Sequence, residues 1–222
     1  MKTNRTLAIV AIGSILVSVG CLGGAYALAT SNDSRSKDVT TREIPWDGSA
    51  SLSLGLDADV RYVQSAGPAT LTARGPHRSV SSLTIEGGHV QDHLLHSGSR
   101  LEITIAAPAI HSFTMNARSR LTIVDYNQPE LTLTTEGFTQ IEAAGRAAKV
   151  LVNMQGRSTA NLTHLATPSI EGRVAGRTTL VTGPAEAAVL EVRDSATVIL
   201  LTAPAKLETS LIEAGRVIHA VR

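Results

Sequence analysis

Aromatic side chains are scarce in this chain, at 3% of its residues, and past the first thirty positions only Trp46, Tyr62, Phe113, Tyr126 and Phe138 remain. A β-sandwich core usually leans on Trp and Tyr, so the scarcity points to a narrow interior filled by Val, Leu, Ile and Ala. A single cysteine, Cys21, excludes an intrachain disulfide and a cysteine-based zinc site. An excess of one charge is missing too. The formal net charge is +1, whereas a nucleic-acid binder shows a strongly basic face, so no nucleic-acid partner is expected. The sequence contains no Gly-x-x-x-x-Gly-Lys phosphate loop and no Gly-x-Ser-x-Gly elbow. It names no catalytic residue, no metal ligand set and no cofactor.

What is present begins with an apolar N-terminus. Lys2 and Arg5 precede an uncharged run over residues 7–29, long enough at about 1.5 Å per residue to cross a bilayer. The flanking charges place the rest of the chain outside the cytoplasmic membrane. Three readings stay open for residues 1–29: a signal peptide cleaved after Ala25-Tyr26-Ala27 or Ala27-Leu28-Ala29, a retained membrane anchor, and lipidation at Cys21 after Gly20. All three export the body of the protein to the periplasm or cell envelope. Residues 30–43 are polar and read as a linker, and residues 44–222 form the folded body. The 222 residues, 43% of them apolar, suit one or at most two domains.

The C-terminal half carries a repeat. Ala117, Gly137, Gly156, Gly176, Ala196 and Gly215 recur at steps of 20, 19, 20, 20 and 19 residues. Phe113, Leu133, Val152, Gly172, Val192 and Leu211 stand four residues before them. Between the small residues, apolar and polar side chains alternate, as in Leu131-Thr132-Leu133-Thr134, and period two means strand. Units of this length cannot bury an inner face alone and must stack. The expected fold is all-β, a single-chain β-solenoid of about six coils of 19–20 residues, each coil pairing with the next at about 4.8 Å. Residues 44–109 read as irregular capping coils and 110–222 as regular repeats, with the small residue at a tight corner. An antiparallel sandwich with evenly spaced turns is the alternative.

The order of features from Ile44 resembles the auto-transporter adhesin head domain, also called the GIN domain. The features are the strand at Ala50–Leu54, then Asp59–Gln64, Ala69–Ala73 and Leu101–Ile105, the Ala107-Pro108 step, and corners of the form Gly/Ala-x-Ser/Thr. The resemblance implies a β-helix-like fold on an exported bacterial protein, with adhesion as the suggested role. No translocator barrel follows in the sequence, so self-export through an outer membrane is not expected.

Candidate sites are few. Arg118, Arg157, Arg177 and Arg216 each follow a small corner residue, with Phe138 and Thr197 at the intervening corners. Stacked, they would form a guanidinium edge for an anionic envelope polymer or surface glycan, with plain solvation of the corners as the alternative. His89, His93 and His96 match a zinc-binding spacing only on a helix, and flanking glycines favour two strands and a turn. The acidic residues Asp125, Glu142, Glu171, Glu191 and Glu208 fall at different places in their units, which argues against a carboxylate cleft. Trp46 is expected to close one end of the core. The last coil has no evident cap, so self-association through it is expected. The favoured function is an exported envelope protein presenting a rigid binding or adhesive surface without catalysis. A structural or signalling module at the membrane and an enzyme on envelope polysaccharide are the alternatives.

Overall fold

The computed structural model describes residues 39–92 and 100–220. The expected signal or anchor at residues 1–29, Cys21, His93 and His96 lie outside the described residues. The opening elements are β1 (Val39–Pro45), β2 (Ser51–Leu54), β3 (Ala58–Gln64), β4 (Thr70–Pro76), the short helix α1 (His77–Ser81), β5 (Leu83–Glu86), β6 (His89–Asp92) and β7 (Leu101–Ala107). The coils continue as β8 (Ser112–Met115), β9 (Ser119–Thr135), β10 (Thr139–Met154), β11 (Thr159–Ala166), β12 (Ser169–Val174), β13 (Thr179–Thr182), β14 (Ala187–Val192), β15 (Thr197–Leu200), β16 (Lys206–Leu211) and β17 (Arg216–His219).

From β8 onward every strand pairs in parallel with its equivalent in a neighbouring coil. One face stacks β2, β8, the end of β9, the end of β10, β12, β14 and β16. The other stacks β7, β3, the start of β9, the start of β10, β11, β13, β15 and β17. Parallel pairing at every step excludes the antiparallel sandwich and establishes a β-solenoid of about five turns. Inward positions fill the gap between the faces. Leu133, Ile141, Val152, Ile170, Leu180, Val192 and Val198 are all buried in one continuous core. The aromatics sit near the start of it, where Tyr62 and Phe113 meet edge to face with centroids 5.2 Å apart.

The cap is interleaved, which the order of features in the sequence does not reveal. The coil made by β2 and β3 lies between the coil of β6 and β7 and the coil of β8 and β9. The chain therefore lays an inner coil first and then turns back to build the outer one. Antiparallel strands finish that end: β4 runs against β7, and β1 runs against β4 from Val39 opposite Pro76 to Pro45 opposite Thr70. Residues 39–43 are thus strand, although their polarity suggests a linker. The β-branched Val39, Thr40 and Thr41 suit an edge strand, and Arg42 Nη1 ties it down by donating to the Ser81 carbonyl at 3.1 Å and the Leu83 carbonyl at 3.2 Å. Trp46 is buried in the core cluster there and donates from Nε1 to the Ser49 carbonyl at 2.8 Å. Gly87 and Gly88, at φ of 55° and 76°, make the tight turn between β5 and β6.

The corners run out of step with the small residues. Backbone at positive φ recurs at Gly137, Gly156 and Gly176 and then at Asp194 and Glu213, so Ala196 and Gly215 stand two residues beyond the corner. The spacing of 20 residues from Gly176 to Ala196 is a coincidence of small side chains. Register fixes the true step, because Thr179 pairs with Thr197 eighteen residues later. The bend from Gly183 to Glu186 is shorter than the one from Thr163 to Pro168 in the coil before, since β13 stops at Thr182 where β11 continues to Ala166. At the corners themselves coils nearly touch: a Cβ on Gly156 would stand 2.6 Å from the Gly137 carbonyl oxygen. Two residues past each corner, Ser119, Thr139, Ser158 and Thr178 form a buried inward column. Ser158 donates to the Gln155 carbonyl at 3.0 Å, whereas the Ser119 and Thr178 hydroxyls are buried without a hydrogen-bond partner among the described residues.

Alternation makes a direct stability prediction. Leu133 is fully buried, while Thr134 faces outward. Leu133→Asp should lower unfolding free energy by at least about 3 kcal/mol, through lost burial and an uncompensated buried charge. Thr134→Asp should change it by under about 1 kcal/mol. Urea denaturation of the two variants makes the comparison.

Candidate functional site

One edge of the solenoid is built from the residue just after each corner. The Arg157 amide donates to the Gly137 carbonyl at 2.7 Å, the Arg177 amide to the Gly156 carbonyl at 2.8 Å and the Ser195 amide to the Gly176 carbonyl at 3.0 Å. Arg118, Phe138, Arg157, Arg177 and Ser195 therefore succeed one another up the edge. Arg216 does not join them. It pairs with Thr197 and its amide donates to the Ala196 carbonyl at 2.9 Å, two positions further along the coil. The shortened coil after Gly176 puts Ser195, and not Thr197, at the place where the spacing of small residues predicts the fifth rung.

Two of the three arginines meet the ring. The guanidinium carbon of Arg118 lies 5.8 Å from the centroid of Phe138 and that of Arg157 lies 5.3 Å from it. Phe138 is therefore held between two cations, and it is 49% exposed. Its ring cannot be core, and its negative face orients the guanidiniums that neighbour it. Among the described residues, none of Arg118, Arg157 and Arg177 takes part in an ion pair. Most basic side chains elsewhere on the coils do so: Lys149 with Glu171 at 2.8 Å, Arg173 with Glu191 at 3.2 Å, Arg193 with Glu191 at 3.3 Å and Lys206 with Glu208 at 3.1 Å. Carboxylates bound the edge at both ends. Asp57 accepts from the Arg118 amide at 3.1 Å, and Asp194 accepts from the Gly176 amide at 2.7 Å. The cationic stretch is thus confined between them, with rungs spaced at about 4.8 Å.

A second feature lies on the outer surface of the β10, β12, β14 and β16 face. A shallow groove of about 610 Å³ runs across Leu151, Gly172 and Val189 and includes Glu171, Glu191 and Glu208 in its walls. Counted from the small residues, Glu171 and Glu191 share a place and Glu208 does not, which corrects the expectation that all of them differ; the register instead places Glu171 and Glu208 at one coil position, two coils apart. Each is bridged by a cation: Glu171 by Lys149, Glu191 by Arg173 and Arg193, and Glu208 by Lys206. The groove therefore offers no pair of bare carboxylates for attack on a glycosidic bond.

His89 is exposed on β6, in the two-strand context that its flanking glycines suggest. Two buried tyrosines serve the scaffold. Tyr62 donates to the Ala107 carbonyl at 3.0 Å and accepts from the Ile110 amide at 3.3 Å, and burial raises its pKa. Burial likewise raises that of Tyr126, whose hydroxyl donates to the Glu130 carbonyl. Among the described residues, no helix is long and apolar enough to cross a membrane.

No family model matches the chain and no curated protein matches it. Solved structures do. A candidate adhesin of Bacteroides fragilis NCTC 9343 superposes with a TM-score of 0.63 at 16% identity, over 83% of this chain and 98% of that one. A candidate adhesin of Parabacteroides merdae ATCC 43184 gives 0.50 at 10% identity, over 82% and 95%. A candidate lipid-binding protein of Parabacteroides distasonis ATCC 8503 gives 0.46 at 13% identity, over 82% and 96%. At these identities the likeness is one of fold.

The sandwich of Phe138 between two guanidiniums predicts a spectroscopic signature. The Arg157 Nε–Hε resonance should be shifted upfield by the ring and should return to the random-coil position in Phe138→Ala. That substitution should cost under about 1 kcal/mol, because the ring is exposed.

Proposed function

We propose that this protein is an exported, non-catalytic binding module, of the kind the GIN resemblance implies, whose rigid corner edge engages an anionic envelope polymer or glycan. One observation carries the reading: Arg118, Phe138, Arg157 and Arg177 stand on successive rungs, the first two arginines oriented by an exposed ring and all three without an ion-pair partner among the described residues. Guanidinium groups at a fixed spacing suit carboxylate, sulfate or phosphate groups repeated along a chain, each taken by two parallel hydrogen bonds. The exposed rim of Phe138 offers an apolar contact beside the two guanidiniums that cover its faces. The solenoid contributes rigidity, since each rung is pinned to its neighbours by backbone hydrogen bonds and the arginines need little ordering on binding.

The fold adds support, being shared with the candidate adhesins of Bacteroides fragilis and Parabacteroides merdae. So does the apolar run at residues 7–29 behind Lys2 and Arg5, which fits delivery outside the cytoplasmic membrane, with the run acting as a signal, an anchor or a lipidation segment. The bridged glutamates of the groove speak against the polysaccharide-enzyme alternative.

Binding to polygalacturonate, dextran sulfate and uncharged dextran tests it. The charged polymers should bind and the uncharged one should not, with affinity falling as salt rises. The triple variant Arg118→Ser/Arg157→Ser/Arg177→Ser should lose at least about tenfold in affinity, and Arg216→Ser should behave as wild type. Undiminished binding by the triple variant would remove the edge from the function.

A further inference from the structure

The two ends of the solenoid are finished differently. At the start, β1, β4, the β5–β6 hairpin and Trp46 cover the core, and antiparallel strands take up the outermost backbone groups. At the other end nothing among the described residues does this. β16 pairs only with β14 and β17 only with β15, so each presents a whole edge of amides and carbonyls. The inward positions of this coil are Leu207, Thr209, Leu211, Val217 and His219, three apolar and two polar, each in register with a buried residue of the coil before. Leu207 and Leu211 are in register with Ala188 and Val192, which are fully buried, yet they are 38% and 53% exposed themselves. Their side chains continue the core and then stop at its open cross-section.

We infer that a second copy of this chain covers the open end, through antiparallel pairing of β16 with β16 of the partner subunit. The strand is self-complementary about Thr209. A two-fold axis through that residue sets Leu207 opposite Leu211 of the partner subunit and Leu211 opposite its Leu207, with the two Thr209 side chains facing each other between them. Because opposed residues in an antiparallel pair share a face, this register joins core to core, and among the registers that do so it is the one in which both leucines of a strand meet a leucine. On the outer side Glu208 meets Ser210 of the partner subunit and Lys206 meets its Ile212, so no like charges are opposed. The match is closed by symmetry and yields a dimer, not a filament. The end face is small, about 20 Å by 10 Å from the strand length and the sheet spacing, so the dimer is reversible.

The full-length chain with Cys21→Ser and Thr209→Cys should form a disulfide-linked dimer on mild oxidation, and the same chain with Ser210→Cys should do so far more slowly. Without added cysteines, Cys21→Ser should double in mass by analytical ultracentrifugation across a roughly hundredfold concentration range. Leu207→Lys should hold it monomeric, and Leu207→Lys/Leu211→Glu should restore the dimer by pairing the new charges across the axis. Leu207 and Leu211 are exposed in the single chain, so circular dichroism should be the same for all. A monomer at every concentration would overturn the inference. So would a dimer insensitive to Leu207→Lys, or a ladder of higher multiples.

Discussion

At the repeating corner of the solenoid, the backbone of one coil passes within hydrogen-bonding distance of the next, and that spacing decides what can stand there. A side chain at Gly156 or Gly176 would run into the carbonyl of the corner beneath it. A non-glycine residue in the left-handed region costs about 1–2 kcal/mol. Asp194 carries that strain and offsets it, since its carboxylate accepts a hydrogen bond from the Gly176 amide at 2.7 Å. Stacking at the corner also aligns everything around it. The inward hydroxyl column, the apolar interior and the outer edge are each a single position read off coil after coil.

That alignment turns scattered arginines into a surface. Arg118 and Arg157 are 39 residues apart along the chain and Arg157 and Arg177 are 20 apart, but they lie on next-neighbouring and neighbouring rungs. Phe138 fills the rung between the first two and holds both guanidiniums over its faces. Beyond Arg177 the edge changes character, because the coil shortens and brings Asp194 and Ser195 to the corner.

Much of this is legible in the sequence. Alternation reveals the strands, the step near twenty reveals the stacking, and Leu133, Val152 and Val192 do line one interior. The positions of the opening strands are legible too, but not their order along the axis, because parallel and antiparallel partners have the same alternation. Corners after Gly176 escape a reading by small residues for a specific reason. Ala196 and Gly215 stand at the expected interval, while the residues bearing positive φ are Asp194 and Glu213, whose side chains hide it. The same displacement wrongly sets Arg216 on the edge and hides that Glu171 and Glu208 share one coil position. Phe138 is visible only as a gap among arginines, since no one-dimensional pattern reports that a ring is exposed between two cations.

The arginine edge and the open end both depend on register between successive coils, and a pair of crosslinks reads that register directly. In a Cys21→Ser background, Thr179→Cys/Thr197→Cys places both thiols on Cα partners of adjacent parallel strands, within the reach of a disulfide. Thr179→Cys/Ile199→Cys keeps the twenty-residue interval of the small residues but sets the second thiol two positions along the strand. Rapid oxidation of the first pair and not the second is the result expected. Preferential oxidation of the second would contradict the stacking.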